Sequence, residues 1–166
     1  SSIDQIFKQA KYINTYFSLK QKIISWRVEG PFDSSYSLAI LNRCFLNSLR
    51  NKIDEVSLRI TEGYGDYEPN INYLSNFPDI YEIYKKSLDI NKVVDVISRN
   101  LYPPRVKDLS AKVNLIHSYG WEESEFPQDW VLDFNSYLEG ISVMSQQVKK
   151  ILIDNGVSIP ISVTSL

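Results

Sequence analysis

Residues 23–49 read IISWRVEGPFDSSYSLAILNRCFLNSL, and the fold turns on this stretch. Ile23 to Val28 is apolar and partly β-branched, which favours a strand. Gly30 and Pro31 break it, and Asp33, Ser34 and Ser35 offer helix N-caps just before an apolar-periodic run. Tyr36, Ala39, Ile40, Phe45, Leu46 and Leu49 fall largely on one helical face. A strand that feeds a helix through a glycine loop leaves backbone N–H groups at the positive end of the helix dipole, where phosphate or carboxylate binds well. The stretch therefore reads as strand, tight loop and helix.

Upstream, Ile6, Phe7, Ala10, Ile13 and Phe17 recur at helical spacing, so residues 1–20 form an amphipathic helix whose apolar face packs on the domain or mediates self-association. Residues 21–166 form one domain. Downstream, Glu55 to Ile60 alternates as a strand, and TEGYGDYEPN is a loop. Ile71 to Ser87 holds one or two short helices, with Pro78 placed to begin the second. Val93 to Ile97 is a short apolar strand followed by the extended loop RNLYPPR. Lys112 to Ile116 is the next strand, with HSYGWEES at its end. A helix from Asp129 to Leu138, with Trp130, Leu132, Phe134 and Leu138 as its apolar positions, leads to a strand from Ile141 to Met144. Ser145 caps a helix from Gln146 to Asp154, ended by Asn155-Gly156. Ile159 to Val163 is a sixth strand. Strands alternating with helices make an α/β fold, a Rossmann-like parallel sheet of five to six strands with helices on both faces.

At 166 residues the chain is long enough to bury a core. A net charge of −2 and an isoelectric point near 5.4 give no general electrostatic reason to expect nucleic acid. Cys44 is the lone cysteine, so no disulfide forms within the chain; a buried thiol and a reducing, cytoplasmic compartment are expected. No apolar run approaches the roughly 20 residues of a transmembrane helix, and the start carries no signal-peptide pattern. The closing SIPISVTSL stops where a strand would enter another element, so a longer parent protein is expected.

Ligands of an open α/β sheet bind outside the carboxyl ends of its strands. The loops there are Gly30 to Ser35, Thr61 to Glu68, Arg99 to Arg105 and His117 to Ser124, and they are also the chain's most unusual stretches. Gly30 allows close approach of backbone to ligand, and the amides near Phe32, Ser34 and Ser35 suit a diphosphate or a sugar hydroxyl; turn and cap chemistry alone would also place Gly and Ser there. His117, the only histidine, is the candidate catalytic residue by its place at a strand end; the plainer reading is a hydrogen-bonded structural residue. Tyr119 and Trp121 suit stacking on a sugar ring or packing in the core. Glu122, Glu123 and Glu125 suit binding of hydroxyls or acid/base work, although three clustered carboxylates usually mark a solvated loop. Asp33, Glu62 and Asp66 are weaker acceptor contacts. Arg99 and Arg105 suit a phosphate or a salt bridge, with Tyr102 beside them.

Several chemistries lack their residues. Gly63 and Gly65 begin a dinucleotide fingerprint that Glu68 and Pro69 break, and no Walker A or Gly-x-Ser-x-Gly sequence occurs. One Cys and one His cannot build a standard zinc site. No cofactor is expected.

EGPFDSSYSLAILNR, TEGYGDYEP, RNLYPPR, HSYGWEES and VMSQQVKKILIDNG, in this order, together resemble the amino-terminal half of retaining glycosyltransferases of the family 4 type, which have the GT-B architecture. The resemblance runs from about Ile23 to the last residue. It implies the acceptor-side domain of an enzyme that moves a sugar from a nucleotide-sugar donor to a glycan acceptor in bacterial surface polysaccharide synthesis. It also implies metal independence, in keeping with the absence of an Asp-x-Asp, and a histidine at the position of His117 that approaches the donor sugar. Two departures stand out. The donor-binding carboxyl half, with two glutamates eight positions apart, is not in this chain, so the chain alone is expected to be inactive. The first loop reads GPFDSS where many relatives carry two adjacent glycines. The alternatives are a non-catalytic Rossmann-like interaction module and a small-molecule Rossmann enzyme of another kind.

Overall fold

The computed structural model describes residues 25–62, 68–89 and 92–164, and within them the chain is α/β, a six-stranded parallel sheet flanked by helices. The expected helix over residues 1–20, the start of the first strand at Ile23 and Ile24, and Asp66 lie outside the described residues. The chain divides after Arg105 into two compact units, and each unit holds three of the strands.

In the first unit, β1 (Ser25–Gly30) leads through a loop to α1 (Ser37–Leu49), followed by β2 (Glu55–Ile60), α2 (Ile71–Leu74), α3 (Pro78–Lys86) and β3 (Val96–Arg99). β1 is the middle strand, parallel to both neighbours, with Val28 opposite Leu58 on one side and Ser98 on the other. Trp26 and Val28 share one face of β1 and are fully buried against a core that includes Phe45, Leu46 and Leu49 of α1. The indole of Trp26 donates Nε1–H to Ser98 Oγ at 2.9 Å, so its one polar atom is satisfied inside the core. The amide of Leu58, on β2, bonds the hydroxyl of Ser87 at 3.0 Å.

The second unit carries β4 (Val113–Tyr119), α4 (Gln128–Tyr137), β5 (Gly140–Val143), α5 (Gln146–Asp154) and β6 (Ile161–Val163). β5 is the middle strand here. Tyr119, Trp121, Phe126, Trp130 and Phe134 pack with ring centroids 4.9–6.2 Å apart, edge to face except for the tilted pair Phe126–Phe134, and aromatic quadrupoles favour the edge-to-face contacts. Ser145 caps α5 by accepting from Val148 N at 3.2 Å, and Gly156 takes φ 105° just beyond the helix.

Several expectations are corrected. α1 begins at Ser37 with Tyr36 at its N-cap and no side-chain cap bond, because the Asp33 carboxylate accepts from Asn70 N and the Ser34 hydroxyl from Tyr36 N. Tyr36 is 77% exposed and Ile40 also faces out, while Asn42 and Arg43 are buried in their place. Cys44, expected in the core, is exposed. The third strand starts at Val96, three residues late, and Val93 is 82% exposed. The strand expected to end at Ile116 continues to Tyr119, so His117 lies within it. On α4 the buried residues are Val131 and Phe134, and Leu132 faces out.

Candidate functional site

The first unit carries, at the carboxyl ends of its strands, the loops Gly30 to Ser35 and Arg99 to Arg105 and the opening residues Thr61 and Glu62 of a third. Gly30 closes β1 with φ 147°. A Cβ there would lie 2.3 Å from the carbonyl oxygen of Asn100 and 2.4 Å from Asn42 Nδ2, so the position admits only glycine on both steric and conformational grounds. The next residues are held from α1. Asn42 Nδ2 donates to the carbonyls of Pro31 and Asn100, both at 3.0 Å. Arg43 Nη1 donates to the carbonyls of Phe32 and Ser34, both at 2.7 Å, and the guanidinium lies 4.2 Å from the ring centroid of Phe77. Asp33 turns inward and accepts from Asn70 N at 2.6 Å. Phe32 is buried in the core, whereas Ser34 is half-buried and Ser35 exposed.

Beneath these loops lies a charged pair. Glu29 and Arg99 stand opposite each other in the β1–β3 register, and Arg99 donates to Glu29 Oε1 from Nε at 3.0 Å and from Nη2 at 2.5 Å. Arg27 Nε donates to the second oxygen at 2.9 Å. Arg99 Nη1 reaches the carbonyl of Arg105 at 2.6 Å, and Arg105 Nη2 donates to Thr61 Oγ1 at 3.0 Å. Arg99 is therefore a buried clamp across the strand ends, and Glu62 and Tyr102 are the candidates that reach solvent.

The fourth loop belongs to the second unit. His117 is 1% exposed inside β4, and burial lowers its pKa to about 3, so the ring is neutral at ordinary pH. Ser118 takes φ 54° where the β4–β5 register shifts between Ile116 and Tyr119. This is a bulge with a left-handed, non-glycine residue, a conformation that costs about 1–2 kcal/mol. Its amide donates to Ser142 Oγ at 2.9 Å. Tyr119 is buried among the aromatic rings. Trp121 is half-buried and donates Nε1–H to the Glu125 carbonyl at 2.8 Å. Glu122, Glu123 and Glu125 are exposed.

Sequence reasoning missed Asn42, Arg43, Glu29 and Ser118. The signal for the first two was present: two polar residues interrupt the apolar face of an otherwise periodic helix. A left-handed serine has no such signature.

At the amino ends of β1 and β2 lies a cavity of about 470 Å³. Three cations in its lining are each paired, Lys92 with Glu55, Arg50 with Asp79 and Arg27 with Glu29. Among the described residues no group of three or more His, Cys, Asp or Glu could hold a metal ion, and no helix is long and apolar enough to cross a membrane. Comparison with known proteins finds no matching family model, no matching curated protein and no matching solved structure.

Proposed function

We propose that this chain is the acceptor-side domain of a GT-B glycosyltransferase, acting in a longer protein to move a sugar from a nucleotide sugar to a glycan. The observation that carries the reading is the loop of residues 30–36. It follows a parallel strand at the carboxyl edge, where α/β sheets bind ligands. Its backbone is pinned by two buried side chains of α1 while Ser35 stays exposed. A preorganised loop of this kind holds a hydroxyl-rich ligand without the entropic cost of ordering the chain. The motif residues that resemble the family are the residues that build it.

In the reaction proposed, an acceptor hydroxyl replaces the nucleoside diphosphate at the anomeric carbon, and positive charge develops on the sugar as the diphosphate departs. Stabilising that departing anion is the main electrostatic task, and the donor half of the parent enzyme would supply most of it. The chain's own part is to hold the acceptor with Ser34, Ser35, Glu62 and Tyr102. His117 is neutral, with a pKa of about 3, and sealed inside β4, so it does not serve as acid or base and supports the strand end without touching the sugar.

Protein-detected NMR with a panel of UDP- and GDP-sugars and short glycans tests this. Shifts confined to residues 31–36, 61–62 and 100–105 are the expected result. No shift at millimolar ligand, repeated on a chain extended through the donor half, overturns the reading.

A further inference from the structure

We infer that Asn42 and Arg43 are positioning residues of the acceptor loop: by anchoring its carbonyls they set where Ser34 and Ser35 meet a sugar. The inference rests on the glycosyltransferase reading and adds to it two residues that touch no ligand. Both lie on the packed face of α1, beside Ala39, Phe45 and Leu46, where a leucine would fill the volume at no polar cost. Burying an amide and a guanidinium is unfavourable unless each finds partners. All four partners shown for them are carbonyls of strand-end loops: Pro31 and Asn100 for Asn42, Phe32 and Ser34 for Arg43.

Peptide planarity makes the arrangement directional. In a trans peptide the C=O and the following N–H point opposite ways. Turning the carbonyls of Pro31, Phe32 and Ser34 toward Asn42 and Arg43 therefore turns the N–H groups of Phe32, Asp33 and Ser35 away from them. Asn42 also ties the loop after β1 to the loop after β3 through Asn100, in space that a side chain at position 30 would fill. Arg43 adds rigidity from its other side, stacked on Phe77.

Asn42→Asp removes both donated bonds and sets a carboxylate against two carbonyl oxygens. At pH 8 we expect the panel sugar that shifts the wild-type loop to bind at least tenfold more weakly, with backbone shifts outside residues 30–36, 42–43 and 100–101 unchanged. At pH 5 the introduced carboxyl gains a proton that it can donate, and binding recovers toward wild type measured at the same pH. A purely structural role would not produce that recovery. Arg43→Met, which keeps the stem on Phe77 and loses both bonds, serves if the first variant does not fold, and the same tenfold loss is expected. Wild-type affinity in either folded variant, or an equal loss at both pH values for Asn42→Asp, overturns the inference while the glycosyltransferase reading stands. Absence of any shift in the wild-type chain, both alone and extended through the donor half, removes both.

Discussion

Glu29 and Arg99 face each other across β1 and β3 with a 2.5 Å ion pair, and both side chains are all but sealed from solvent. The pair lies one residue before Gly30 and one before Asn100, so it underpins both loops that Asn42 joins. A desolvated pair gains little over an apolar one of the same shape, yet losing one member leaves a buried charge uncompensated. Glu29→Leu is expected to lose about 3–5 kcal/mol, and the double variant with Arg99→Met to recover much of it. Urea unfolding of the single and double variants measures this, and a single variant within 1 kcal/mol of wild type, about the worth of an exposed pair, refutes it.

Gly30→Ala is expected to be among the most damaging single changes in the chain. The new methyl meets Asn100 O and Asn42 Nδ2 at less than 3 Å while the backbone remains at φ 147°, so a loss above roughly 3 kcal/mol is anticipated. Gly120→Ala is the control, since its nearest neighbour would be Met144 Sδ at 3.8 Å, and it should stay within about 0.5 kcal/mol. Thermal unfolding of the two variants side by side checks the contrast.

The burial of His117 makes stability depend on acid. Its folded pKa of about 3 lies below the ordinary 6.5, so the unfolded chain binds the extra proton first. Stability from this group is full above pH 6.5 and falls as pH drops toward 3, by up to about 1.4 kcal/mol per pH unit. Glu139 works the other way: burial raises its pKa, so its contribution is full at low pH and is lost as pH rises through the folded value. The difference between wild type and His117→Gln in urea midpoints at pH 7 and pH 4 isolates the histidine. A pH-independent difference would mean that His117 charges as readily in the folded chain as in the unfolded one.

Where a local rule and the tertiary context agree, the element was legible from its residues. β2 and α5 fall on the expected residues, and Ser145 and Pro78 start their helices as their chemistry requires. The β1–α1 junction shows the opposite. Three good capping residues precede α1, but the Asp33 carboxylate accepts from Asn70 N and the Ser34 hydroxyl from Tyr36 N, so the helix opens without a side-chain cap. Tyr36 and Ile40 read as core because apolar periodicity cannot know that Asn42 and Arg43 have carbonyls to reach. β3 begins late because Val93 and Val94 carry strand propensity outside the register with Trp26. The candidate site was legible as a set of loops, and its supporting bonds were not, since they join residues up to 70 positions apart.

The tryptophans are divided between the units. Trp26 is sealed in the core of residues 23–105, while Trp121 and Trp130 sit together in the aromatic cluster of residues 106–166. The chain thus carries a separate optical label in each half. In Trp26→Phe the emission comes from the second half alone, and in a chain lacking the other two indoles it comes from the first, so the melting of each half can be followed by its own light.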